Sequence, residues 1–302
     1  MKKNLLITLF LLLGAARAAL GYEIAVVKGD SGLTTNLAGQ AFIRELEKTL
    51  PSPGLKAIVP HSFHEILIEK NESESSTRTR ISAVRPDLIL ALGPKALTAA
   101  RGIAAVPVIS LLVFSPEKII AGQANITGIT LNIPAKIQLD EMSRLLPGVK
   151  RVGVIYDPVR SNDLLDHART SRPDLEFVAI PATNEKEVAG LLHKLEGRID
   201  LVWLLPDLTV FTPHTFPLFL RFSFENRIPL LSFAEQHLKS GAALVVTFDV
   251  EAMGQEAAEI ATRLFHGEPA AKIGMKNATR VKTLVNDIIL QKMNISVQGN
   301  TP

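Results

Sequence analysis

The 302-residue chain is 47% apolar, 21% charged and 5% aromatic, a balance that supports a sizeable buried core and excludes a disordered polymer or a coiled-coil rod. Its 33 basic and 30 acidic side chains give a formal charge of +3, but Lys2, Lys3 and Arg17 lie in the first 18 residues and the rest carries 30 of each sign, so the charge gives no support for nucleic-acid binding. Cysteine is absent, which excludes a disulfide framework, thiol catalysis and lipid attachment through sulfur.

Residues 1–18 have the layout of a secretory signal peptide: two lysines, an apolar run over 5–13 broken only by Thr8, and Ala16-Arg17-Ala18 as a small-x-small processing site. Cleavage is expected after Ala18 or Gly21, and an uncleaved N-terminal anchor is the alternative. The run is shorter than the ~20 residues a membrane-spanning helix needs, and no later stretch approaches ~18 uncharged apolar residues. The expectation is an exported, soluble protein without stable membrane insertion, held in a Gram-negative periplasm, with secretion to the medium as the second possibility.

From Tyr22 onward, short β-branched runs alternate with amphipathic stretches. Strands are predicted over residues 23–27, 55–59, 86–92 and 106–113. A helix is predicted over 36–50, and another starts at Pro94, a favoured first helical residue. The hydrophilic segment 69–80 reads as an exposed helix or loop. Past a helix over 134–146, strands are predicted over 151–156, 176–180, 201–205, 229–232, 243–247 and 283–286. Helices over 161–168, 185–195, 215–226, 234–240 and 250–266 separate them, the last with Asp249 as N-cap and Gly267 at its end. In the helix over 215–226, the stripe Phe216, Phe219, Leu220 and Phe224 reads as core. The fold class is α/β: about ten strands suit two Rossmann-like lobes with parallel sheets better than one open sheet.

No enzyme signature is present: no P-loop, no GxSxG and no GxGxxG after the first strand. His61-x-x-His64-Glu65 fits neither HExxH nor HxxEH, and no third ligand is indicated, so neither a metal nor another cofactor is expected. What remains is a set of strand-to-helix turns. In parallel α/β sheets these line the carboxyl edge, where helix N-termini can hold a small anion or carboxylate. The candidate ligand-binding residues are Asp30 and Ser31; Gly93, Pro94 and Lys95; Phe114 and Ser115; Tyr156, Asp157, Ser161 and Asn162; Pro206 and Asp207; Phe233; and Asp249, whose carboxylate could pair with a ligand ammonium. Taken singly, each also has an ordinary role as turn or cap.

Several segments together resemble the ABC-transporter substrate-binding proteins with a type 1 periplasmic-binding fold, in the amino-acid-binding-like branch. Ser115-Pro116, Ile120-Ala121-Gly122 and Asn125-Ile126-Thr127-Gly128 are similar to one family segment. Leu146-Pro147-Gly148-Val149-Lys150-Arg151-Val152-Gly153-Val154-Ile155-Tyr156-Asp157-Pro158, followed by Ser161, is similar to another. Arg227-Ile228-Pro229 before Phe233-Ala234-Glu235, then Ser240-Gly241-Ala242, Asp249 with Gly254, Gly267-Glu268-Pro269-Ala270, Val285-Asn286 and Asn294-Ile295 continue the series. The resemblance implies two lobes, 22–127 plus 249–282 and 128–248 plus 283–302. They would be joined by a three-strand hinge crossing near residues 127–132, 247–250 and 281–284. It implies a non-enzyme that captures a small metabolite, an amino acid or related molecule, by hinge closure and delivers it to an ABC permease in the inner membrane. A ligand-sensing adaptor for a membrane receptor, or an exported α/β enzyme with Asp157 or Asp207 as general base, are the alternatives. The chain departs from the family at Gly29-Asp30-Ser31-Gly32, where relatives often carry His-Pro, and at Pro94-Lys95, where they carry a small hydroxyl residue.

Overall fold

A computed structural model describes residues 21–49 and 61–297. In chain order the first stretch is β1 (Glu23–Lys28), α1 (Leu33–Thr49), β2 (Ser62–Leu67), α2 (Glu74–Ala83), β3 (Leu88–Leu92), α3 (Pro94–Ala100), β4 (Val108–Val113), α4 (Glu117–Ile120) and β5 (Ile126–Thr130). The second is α5 (Ala135–Leu145), β6 (Arg151–Tyr156), α6 (Pro158–Ser171), β7 (Glu176–Pro181), a 3-10 turn (Glu185–Glu187), α7 (Val188–His193), β8 (Leu201–Trp203), α8 (Phe216–Asn226), β9 (Leu230–Ser232), α9 (Glu235–Ser240) and β10 (Leu244–Phe248). Then come α10 (Val250–Phe265), α11 (Ala270–Ile273) and β11 (Met275–Asn277), and finally β12 (Val281–Val285) and α12 (Asp287–Lys292).

The chain divides into two compact units, residues 1–132 with 249–280 and residues 133–248 with 281–302, and so passes between them three times. The first unit's sheet runs β11-β5-β4-β3-β1-β2 and the second unit's β12-β10-β9-β8-β6-β7. All pairings are parallel except β12, which lies antiparallel on β10. The two sheets thus share one winding, in which strand order reverses next to β1 and next to β6.

In the first unit, β1 and β3 are apolar on both faces because each face is covered by helices, the signature of a central parallel strand. Helices α1 and α10 pack together on one face, α1 over β1 and β3 and α10 over β4 and β5. Gly254 of α10 permits that pairing, since a Cβ there would stand 2.5 Å from the Ala38 carbonyl oxygen and 2.8 Å from the Ala41 Cβ. Ala25, Val27, Ile89 and Ala91 face the other side and join Ile81 of α2 and Leu97 of α3. In the second unit the alternation is equally clear. Val152, Val154, Leu201 and Trp203 pack with Leu139 and Met142 of α5, Leu165 of α6 and Leu290 of α12. Ile155, Val202, Leu204 and Val245 pack with Leu192 of α7 and Phe219 and Phe222 of α8.

Three expectations need correcting, and others fall outside the described residues. The strand beside β1 is Ser62–Leu67, in register Glu23↔Ser62; the expected strand over 55–59 falls outside the described residues, as do the signal segment 1–18 and Leu50. The first crossover was expected near residues 127–132; residues 126–130 form β5, paired with β4 and β11, and the first compact unit runs to 132. Residues 281 and 282 belong to β12 and the second unit, and that terminal strand is antiparallel. Finally, Phe224 is 45% exposed rather than core, while Phe219 of the same stripe is 1% exposed.

Candidate functional site

The carboxyl edge of the first sheet is built from the turns after β1, β3 and β4, and α10 of the same unit starts at Val250. Gly29 donates its N–H to the Leu92 carbonyl at 2.9 Å, tying the first turn to the third strand. Asp30 then folds back: its Oδ1 accepts from the Gly32 N–H at 2.7 Å and the Thr35 hydroxyl at 2.9 Å. Ser31 is exposed and its carbonyl accepts from Asn36 Nδ2 at 3.1 Å. Gly93 caps α3 with Pro94 at its first position, and Pro94 and Lys95 are exposed. Asp249 caps α10, its Oδ1 accepting from the Ala252 N–H at 3.0 Å, so the plain cap role is realised.

At β4 the edge carries a distortion. The β4–β5 register shifts between Ser110 and Val113, and Leu112 sits at φ +62°, a conformation a bulky residue adopts only where its surroundings impose it. The strand then delivers Phe114, 57% exposed, and Ser115 to the edge, with Asn132 Nδ2 donating to the Phe114 carbonyl at 3.2 Å.

The second sheet's carboxyl edge is held by carboxylates. Asp157 caps α6, Oδ1 accepting from the Val159 N–H at 2.9 Å and Oδ2 from the Thr209 hydroxyl at 2.8 Å. Those donors, the Thr209 hydroxyl foremost, hold its carboxyl below the usual range. Asp207 is 2% exposed; Oδ2 accepts from the Asp157 N–H at 2.8 Å and the Ser161 hydroxyl at 2.7 Å, and Oδ1 from the Thr209 N–H at 3.0 Å. Expected as a ligand contact, or as the base of an enzyme alternative, Asp207 instead has both oxygens engaged within the protein and almost no access to solvent. Ser161 is likewise buried and committed to Asp207, and Asn162 Nδ2 donates to Asp166 at 2.7 Å. Tyr156 is half-buried at the strand end and Pro206 is exposed. Val159 and Leu208, in the same two segments, are 94% and 79% exposed.

Phe233 belongs to a cluster of rings. Its centroid lies 5.3 Å from Phe211 and 5.4 Å from His237, both edge-on, and Phe216 lies 4.7 Å from His237. His237 is 9% exposed, shares a 2.7 Å hydrogen bond with the Ser232 hydroxyl, and burial pushes its pKa down.

Within the first unit the turns after β1, β3 and β4 carry Asp30, Ser31, Gly93, Pro94, Lys95, Phe114 and Ser115 to one edge, while Asp249 caps α10 directly after β10; within the second the turns after β6, β8 and β9 carry Tyr156, Asp157, Ser161, Asn162, Pro206, Asp207 and Phe233. Sequence reasoning missed Lys28, 8% exposed at the end of β1, whose Nζ donates to Asn36 Oδ1 at 3.0 Å and pairs with Glu65 at 2.5 Å. A lysine closing the apolar run EIAVVK was the available signal. Phe211 was missed too, and nothing local marks it. Among the described residues no group of three or more His, Asp or Glu side chains could hold a metal ion, and no helix is long and apolar enough to cross a membrane.

A protein of Clostridioides difficile (strain R20291) described as a tyrosine-binding protein is 22% identical over 231 residues, 73% of this chain and 66% of that protein, just under two thirds of its length. The ligand-free, open structure of a substrate-binding protein with adhesive properties from Clostridium difficile superposes with a TM-score of 0.72 at 19% identity, over 92% of this chain and 97% of that one. The structure of an ABC domain in complex with L-Trp from Streptococcus pneumonia gives a TM-score of 0.52 at 18% identity, over 91% and 95%. The two structural similarities show the same α/β fold. The model of the family described as ABC transporter substrate binding protein matches residues 44–301, and the chain belongs to that family.

Proposed function

We propose that the protein is the periplasmic solute receptor of an ABC importer, exported by residues 1–18 and capturing an amino acid or close relative. The family match over residues 44–301 is the observation that carries this reading. A relative named for tyrosine binding and a solved structure holding L-Trp direct the ligand class toward amino acids.

In this reading the two carboxyl edges are half-sites, and a solute gripped by both favours the closed state. Turning an equilibrium from mostly open to mostly closed takes a differential affinity of about 5.5 kcal/mol, so neither half-site suffices alone. On the first unit, Asp30, Ser31, Lys95, Ser115 and Asp249 would supply polar contacts, Gly93 and Pro94 backbone shape, and Phe114 an apolar face. On the second, Tyr156, Asn162, Pro206 and Phe233 would meet the solute directly. Asp157, Ser161 and Asp207 would shape the turns. The closed form would then be read by a membrane permease.

The test is a thermal-unfolding screen of the purified protein against the twenty amino acids, simple sugars and small organic acids, followed by calorimetry. A solute at a hundred times its Kd stabilises the native state by about 2.7 kcal/mol. The reading expects an amino acid to raise the midpoint. A sugar raising it with every amino acid inert would overturn the ligand class, and no response from any solute would overturn capture itself.

A further inference from the structure

We propose that Asp207 is a positioning residue that locks the β6–α6 and β8–α8 turns in their solute-competent geometry before any solute arrives. The proposal rests on the reading of the second sheet's carboxyl edge as a half-site. Asp207 is buried, and its three donors are all neutral: the Asp157 N–H, the Ser161 hydroxyl and the Thr209 N–H. A carboxylate removed from water is tolerated only where hydrogen bonds replace its hydration, so the site holds together as a unit or not at all. The lock is reciprocal, because the Thr209 hydroxyl donates back to Asp157 Oδ2 at 2.8 Å. Three bonds therefore join the turns: Asp157 N–H to Asp207, Ser161 hydroxyl to Asp207 and Thr209 hydroxyl to Asp157.

A second feature gives the lock something to hold. The same two segments carry Val159 and Leu208, 94% and 79% exposed. Free turns would let such side chains fold against nearby apolar surface. Turns pinned at Asp207 keep them presented to an incoming solute. Fixing this geometry in advance removes an ordering cost from binding, and losing it reduces the fraction of molecules ready to bind.

The distinction between positioning and contact is kinetic. Loss of a contact speeds solute escape, whereas loss of pre-organisation slows productive capture. The experiment compares the full-length protein with Asp207→Asn, which keeps the side-chain size but turns an amide N–H₂ toward groups that are themselves donors. Hydrogen exchange of the solute-free proteins is measured first. Exchange at the Asp157 and Thr209 amides is expected to rise about tenfold or more, in line with loss of a hydrogen bond to a charged acceptor. Stopped-flow binding of L-tyrosine is then expected to show association slowed about tenfold with dissociation unchanged. Should Asp207→Asn fail to fold by circular dichroism, Thr209→Val, which removes only the return bond, is expected to shift both readouts in the same direction by a smaller factor. Unaltered exchange at both amides overturns the lock, and so does faster dissociation with unchanged association. Failure of the wild-type protein to bind L-tyrosine counts against the proposed function, and the exchange measurement then decides the lock by itself.

Discussion

A Cβ added to Gly128 would lie 2.1 Å from the Ser110 carbonyl oxygen, because Gly128 of β5 pairs with Ser110 of β4 beside the point where the register shifts and Leu112 takes up φ +62°. Gly128 itself is at φ +150°, so backbone and neighbour both demand glycine. Gly128→Ala is expected to destabilise the first unit by at least about 1–3 kcal/mol, the usual cost of overpacking, read as a lowered urea midpoint. A midpoint unchanged from wild type would mean that β4 has no such distortion.

The only tryptophan of the chain reports on the second unit. Trp203 is 1% exposed and its Nε1 donates to Gln138 Oε1 at 3.0 Å, joining β8 to α5. Gln138→Met keeps the volume but leaves the indole N–H buried without an acceptor, an expected loss of about 1–3 kcal/mol. Fluorescence-monitored unfolding measures it directly.

Arg172 donates to Asp174 from Nε at 2.8 Å and from Nη2 at 2.6 Å, and the same guanidinium reaches Asp140 at 3.2 Å, tying the end of α6 to α5. The guanidinium holds the Asp174 carboxyl down to about 2. A carboxyl with a depressed folded pKa stabilises the protein above its unfolded value near 4 and loses that contribution as pH falls toward 2. Asp174 is about half exposed, so the effect is modest. Asp174→Asn is expected to lower the unfolding midpoint at neutral pH, with the gap closing between about pH 4 and 2. A gap of constant size across that window would exclude the ion pair as its source.

His237 behaves in the same sense for a different reason. Burial among Phe211, Phe216 and Phe233 lowers its pKa, so the unfolded chain takes up a proton near pH 6.5 while the folded one resists. Its contribution is present above that pH and fades as pH falls through the folded value. Replacing it by phenylalanine is expected to remove this limb from the stability profile of the second unit, whatever the variant's stability at pH 8. Calorimetric scans between pH 8 and 5 distinguish the two profiles.

The central strands were legible because both faces are covered: LILAL of β3 and the apolar core of RVGVIY in β6 need no tertiary knowledge to be read as buried. The edges were not. In β2, SFHEIL is largely half-exposed and carries His64 and Glu65, and of the three residues of β11 only Met275 is apolar. The threonines and glycine of ITGIT disguised β5 as a connection. At the candidate site, turns and caps such as Asp157 and Asp249 were visible locally. The role of Asp207 was not, since its partners Ser161 and Asp157 stand 46 and 50 residues away and only folding brings them together. Burial of a carboxylate cannot be read from a Pro-Asp-Leu-Thr turn, which by itself reads as surface.

In the proposed function a captured solute draws the two units together. Small-angle X-ray scattering of the protein alone and saturated with an amino acid whose binding has been verified by calorimetry measures this directly. The expected result is a smaller radius of gyration and a shorter maximum dimension in the saturated sample. Superimposable profiles at proven saturation would contradict it.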